Sequence, residues 1–178
     1  KHQRENASLA VAAVKTFLPN IKTKDCLEGI CTTTWRGRFE QFRQYSKFDI
    51  VVDGAHNREG ALALVSTWKE IYGEEKGIVI FSAAANKDLK SIIKSLSEIA
   101  SLIIVTDPDT PRKLADYNEI CRHFPKDIDV RKEPSVDKAI ELARTLKGHI
   151  LIAGSLFLVG EALAIIDNKR QIFEPSDQ

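Results

Sequence analysis

Methionine is absent from this 178-residue chain, and cysteine is confined to Cys26, Cys31 and Cys121. With no initiator, and with a helical pattern already under way by Asn6, the sequence is expected to begin inside a longer polypeptide. Three cysteines, odd in number and without the paired spacing of a zinc site, argue against a disulfide framework or a structural metal. Long apolar runs are missing too. None approaches the ~20 residues needed to cross a bilayer, and no charged-then-apolar signal opens the chain, so a cytoplasmic protein is expected. Charge of one sign is not in excess: 26 Lys and Arg stand against 25 Asp and Glu. Neither nucleic acid nor an anionic membrane is therefore an expected partner. No Gly-x-Gly-x-x-Gly follows an apolar run, so a dinucleotide dehydrogenase would lack its phosphate grip. The Walker sequence Gly-x-x-x-x-Gly-Lys-Ser/Thr is missing as well, and any nucleotide site in this segment is partial.

What is present is the composition of an ordinary globular domain, long enough for a sizeable core. Leu9, Ala10, Ala13, Val14 and Phe17 recur near helical spacing until Pro19 and Asn20 stop the pattern. Residues 1–19 read as a terminal helix of a preceding domain. Residues 20–34, polar and rich in Lys and Thr, read as a connector. From 35 to 178 a second domain is expected. Its strands are read at Phe39 to Arg43, Phe48 to Val52, Gly77 to Phe81, Leu102 to Thr106 and His149 to Ala153, with another at Ile128 to Val130. Helical patterns separate most of them, as in βαβ units, which predicts an α/β, Rossmann-like, mostly parallel sheet with helices on both faces. Ala61, Val65, Trp68 and Tyr72 form one buried stripe, and Val136, Ala139, Ile140 and Ala143 another. Pro111 suits the first turn of a helix. Beyond Asn168 a polar tail is expected, with a possible strand around Ile172 and Phe173.

The most informative stretch is Val51-Val52-Asp53-Gly54-Ala55-His56-Asn57, where a buried strand runs into a turn bearing polar side chains. Ligands of open α/β sheets collect outside the carboxyl ends of the strands, which is where Asp53, His56 and Asn57 fall. Gly54 is read as giving the backbone the freedom a tight turn needs. The plain alternative is that Asp53 and Asn57 cap the next helix. Arg38 is a permanent cation able to grip phosphate oxygens at two points, or else a surface arginine. Ser155 opens an apolar helix after a strand, where it serves as an N-cap, an anion ligand, or both. His56 is a donor, an acceptor or a cation near neutral pH. His123 and His149 stand outside any motif.

Four segments taken together are more specific: His2-Gln3-Arg4-Glu5-Asn6-Ala7, Trp35-Arg36-Gly37-Arg38-Phe39-Glu40, the Asp53 turn, and Gly154-Ser155-Leu156-Phe157-Leu158-Val159-Gly160-Glu161-Ala162. In order and spacing they resemble the C-terminal half of folylpolyglutamate synthases, including the bifunctional dihydrofolate synthases, within the Mur ligase superfamily. Asn86-Lys87-Asp88 and Pro111-Arg112 also look like family segments, with Asn86 in place of the usual first Asp. The resemblance implies a ligase that joins L-glutamate to the γ-carboxyl of a folate through an acyl phosphate, using ATP. It implies ATP binding by Asn6, Arg38 and Asp53, and glutamate binding by His56 and Ser155. The phosphate-cradling loop and most magnesium ligands would lie in the preceding ATP-binding domain, to which residues 1–19 would belong. No metal ligand is expected here. Two alternatives stay open: another Mur-type amino-acid ligase, and a stand-alone, non-catalytic Rossmann-like binding module.

Overall fold

The computed structural model describes residues 2–43 and 48–173, and the chain divides into two compact units, one ending at Arg36 and one starting at Gly37. The first unit holds α1 (His2–Phe17) and α2 (Thr23–Thr32). Leu18 N–H still reaches Val14 O before Pro19 ends α1. Helix α2 lies inside the segment read from its composition as a connector, because Cys26, Leu27 and Ile30 recur at helical spacing among the Lys and Thr residues. Within this unit Cys26 is buried, whereas Leu9, Phe17, Leu27 and Trp35 are exposed.

The second unit is a six-stranded sheet. Its strands are β1 (Glu40–Phe42), β2 (Ile50–Val52), β3 (Gly77–Phe81), β4 (Ala100–Val105), β5 (Asp129–Lys132) and β6 (Ile150–Ala153). Their order across the sheet is β1-β2-β6-β3-β4-β5, with β1 antiparallel to β2 and every other pairing parallel. The alternation of a pleated strand sorts the side chains into two layers. Val51, Val79, Phe81, Ile103, Val105, Leu151 and Ala153 face one core. It is closed by α3 (Arg58–Tyr72), α4 (Leu89–Leu96) and α5 (Tyr117–His123). Ile50, Val52, Ile78, Ile80, Ile104, Ile150 and Ile152 face the other core, which is closed by α6 (Val136–Thr145) and α7 (Leu156–Phe173). The expected α/β architecture is therefore present, and each predicted stripe on α3 and α6 lies against the sheet.

Two local expectations fail. Pro111 opens no helix, because Ala85 N–H donates to Lys113 O, Ala115 N–H donates to Ala83 O, and Ala84 bridges Leu114. That pairing holds the segment extended until Asp116 caps α5. Ile172 and Phe173 form no strand, since beyond Gly160 α7 meets no Gly or Pro and continues to Phe173. The strand expected at Ile128 to Val130 forms one residue later and extends to Lys132. The short polar turn expected between the first two strands falls on residues 44–47, which lie outside the described residues.

The sheet's order positions the site. From β2 through β5 the crossovers use α3, α4 and α5 on one face, and the return to β6 uses α6 on the other. At the carboxyl edge, β2 therefore leads towards one face and its neighbour β6 towards the other. Such a switch point opens a crevice between the two turns.

Candidate functional site at the carboxyl edge

Backbone hydrogen bonds lace the two turns together. Asp53 N–H donates to Ile152 O at 3.0 Å, and Gly154 N–H donates to Ala55 O at 2.9 Å. Gly154 has φ 109, and a Cβ there would stand 2.4 Å from Ser82 O and 2.5 Å from a ring carbon of Phe81. Only glycine fits both constraints. His56 and Ser155 are thereby carried on adjoining turns at the same edge of the sheet, as the sequence predicts.

Asp53 is half-buried, and each of its carboxylate oxygens accepts a main-chain N–H. Its Oδ1 accepts Ala55 N–H and its Oδ2 accepts Phe39 N–H, each at 2.8 Å. The second bond reaches the turn that carries Arg38. In that turn Gly37 has φ 68 and Phe39 has φ 47, the latter a left-handed conformation uncommon outside glycine. Gly37 N–H donates to Glu40 Oε2 at 2.7 Å, and Gly37 O accepts Gly54 N–H at 2.8 Å. Glu40 and Phe39 thus shape the Arg38 turn. The sequence marks neither as functional, although Glu40 stands three residues after Gly37 in the Trp35–Glu40 segment. Arg38 itself is exposed, with its guanidinium over Gly54.

His56 Nδ1 lies 2.8 Å from Gly54 O. A carbonyl oxygen only accepts, so Nδ1 carries the proton and Nε2 is left as the acceptor of the neutral ring. Asn57 has the plainer role: its Oδ1 accepts Gly60 N–H at 2.8 Å and caps α3. Ser155, 9% exposed, accepts Phe157 N–H on Oγ at 3.2 Å and so caps α7. Its position at a helix amino terminus keeps the anion-binding reading open.

The loop after β4 also reaches α7. Asp109 N–H donates to Glu161 Oε2 at 2.8 Å, and the Arg112 guanidinium lies 6.0 Å from the Phe157 ring centre. After β3, Asp88 caps α4 by accepting Ser91 N–H, and hydrogen bonding from Ser91 holds its carboxyl below the usual range. Asn86 is exposed in the same loop. Asn6 belongs to the first unit and is exposed near the start of α1. Among the described residues no group of three His, Cys, Asp or Glu side chains could hold a metal ion, and no helix is long and apolar enough to cross a membrane.

Known proteins share this framework. The dihydrofolate synthase/folylpolyglutamate synthase of Bacillus subtilis is 31% identical over 90% of this chain and 38% of its own length. The UDP-N-acetylmuramoyl-L-alanyl-D-glutamate–L-lysine ligase of Streptococcus mutans is 29% identical over 94% of this chain and 36% of its own. The structure of Mycobacterium tuberculosis folylpolyglutamate synthase complexed with ADP and AMPPCP superposes with a TM-score of 0.78 at 26% identity, covering all of this chain and 41% of that one. The chain thus spans well under half the length of these relatives. The glutamate ligase domain model of the Mur ligases matches residues 37–156, the segment running from the Arg38 turn to the opening of α7. By that match and by the sheet that carries it, the chain belongs to the Mur ligase family as its glutamate ligase domain.

Proposed function

We propose that this chain is the C-terminal part of an ATP-dependent ligase that adds L-glutamate to the γ-carboxyl of a folate. The lacing of the Asp53 and Ser155 turns carries the reading, because it assembles a cation, a capped helix terminus and a histidine of defined tautomer in one crevice. Similarity to the Bacillus subtilis synthase supports the folate assignment.

ATP, when bound, supplies the phosphoryl group that activates the carboxylate as an acyl phosphate. The exposed Arg38 guanidinium suits the anionic end of a nucleotide, since it keeps its charge and offers two-point contact with phosphate oxygens. Asp53 holds the turn that bears Arg38, and as an acidic residue at the end of β2 it is assigned to the ribose hydroxyls. Asn6 is assigned to the adenine on the strength of the resemblance alone. The holders of magnesium are assigned, on the strength of the resemblance, mainly to a preceding ATP-binding domain of which residues 1–19 would be the terminal helix. His56, through Nε2, accepts a hydrogen bond from the ammonium of the incoming glutamate. Ser155 and the amides opening α7 receive its carboxylate. A cytoplasmic location goes with this reading.

The test is an ADP-release assay with folate and glutamate, on this chain and on the protein that includes the preceding half. Turnover is expected only from the longer protein. Robust folate-dependent turnover by this chain alone would overturn the division of labour. A second reading, ligation of an amino acid to a peptidoglycan precursor, is favoured by the Streptococcus mutans relative. Turnover with a UDP-linked muramoyl peptide in place of folate would select it, and no turnover with either acceptor would point to a binding module.

A further inference from the structure

Gly54 is a glycine for an unexpected reason. Its φ lies outside the left-handed region that Gly37, Gly73, Gly148 and Gly154 occupy, so its backbone could be adopted by other residues. Space is what restricts it. A Cβ at Gly54 would stand 2.7 Å from Arg38 Nη1, 2.8 Å from Leu156 Cδ2 and 3.5 Å from Gly37 O. The expectation that this glycine serves turn flexibility is therefore replaced by close approach.

The obstructing atoms set Gly54 apart from two other crowded glycines of the same unit. At Gly154 a Cβ would strike Ser82 O and the buried Phe81 ring, and at Gly77 the buried Trp68 ring and His149 O. Those neighbours are backbone or core, and a side chain there would disturb the fold. At Gly54 the two nearest atoms are the far ends of flexible, exposed side chains, which can yield. What a Cβ would displace is the guanidinium, together with the end of the Leu156 side chain. Meanwhile the Gly54 N–H is bonded to Gly37 O and its carbonyl to His56 Nδ1, so the main chain at this point is fixed from both sides.

We infer that Gly54 is a positioning residue for the nucleotide step, its bare Cα forming the seat on which the Arg38 guanidinium lies. This rests on the reading of Arg38 as the cation that grips ATP. A single methyl group at position 54 lifts that guanidinium off its seat while leaving the sheet, the laced turns and the cap of α7 in place.

The experiment uses the full-length protein, with ATP as the titrant in calorimetry and as the varied substrate in the ADP-release assay. Four proteins are compared: unaltered, Gly54→Ala, Arg38→Ala and the double variant. Gly54→Ala is expected to weaken ATP binding and kcat/KM for ATP by about 10-fold or more, within the range for a lost bond to a charged group. Its glutamate KM should move by less than about 2-fold, and the double variant should match Arg38→Ala to within about 2-fold, because residues acting through one contact are not additive. If Arg38→Ala weakens ATP binding and Gly54→Ala does not, the inference falls and the reading of Arg38 stands. Additive losses in the double variant, or a Gly54→Ala protein that no longer melts cooperatively, would show that the glycine serves the fold, and would overturn it equally. An Arg38→Ala protein with unaltered ATP binding would remove both.

Discussion

Arg38 carries the largest expected effect of any single side chain. It stands between two left-handed residues, and Asp53 holds the amide of the second. Loss of a hydrogen bond to a charged group costs roughly 1.5 to 3 kcal/mol, so Arg38→Ala in the full-length protein should lower kcat/KM for ATP by about 10 to 100-fold. Arg38→Lys should recover little, since an ammonium keeps the charge without the planar fork. Steady-state kinetics at varied ATP measure both. His56→Ala and Ser155→Ala should instead raise the glutamate KM with little change for ATP, and unaltered glutamate kinetics in both would count against the assignment. The positions of Asp53, His56 and Ser155 were legible because strand ends are marked by apolar runs that stop at polar residues. The work of Phe39 and Glu40 was not. A left-handed Phe39 leaves no compositional trace, and the partner of its amide lies 14 residues away. His149, without any motif, proves structural: its Nδ1 accepts Asp49 N–H at 3.0 Å, and its ring lies 4.1 Å from that of Tyr72.

Among the elements, α3 is the one whose start determines where His56 is carried. Asn57 caps it through Gly60 N–H, and removing such a cap costs about 1 kcal/mol. Asn57→Ala should therefore lower stability by about that amount in urea unfolding, while Asn57→Asp should keep most of it. Periodicity made α3 and α6 legible, because one face of each is buried against the sheet and the other is wet. It failed at α2, where Lys and Thr dilute the stripe, and at Pro111, where pairing with residues 83–85 overrides a local preference. Those partners are distant in sequence, and no local pattern announces them.

At the scale of the whole sheet, the edge opposite the site is sealed by a hydrogen-bonded group. Tyr72 O–H donates to Asp49 Oδ2 at 2.8 Å and accepts from Gln41 Nε2 at 2.9 Å. Burial, followed by the bond to Asp49, pushes its phenol up to about 12, with the bond from Gln41 acting the other way. The folded state thus holds this proton more tightly than the unfolded chain, whose tyrosines titrate near the ordinary value of about 10. The stabilisation is complete below the ordinary value and is lost as pH rises from there to about 12. Tyr72→Phe should flatten that alkaline decline in a melting-temperature series. The sheet's order bears on how it is made as well as on where it binds. Strand β6 is the last in sequence yet lies between β2 and β3, two strands formed from residues far upstream. During synthesis those two strands leave the ribosome long before the strand that joins them, each with an open hydrogen-bonding edge. A nascent chain arrested before residue 150 is accordingly a candidate for chaperone capture and mispairing, and release of the final strand is the event that lets the sheet close.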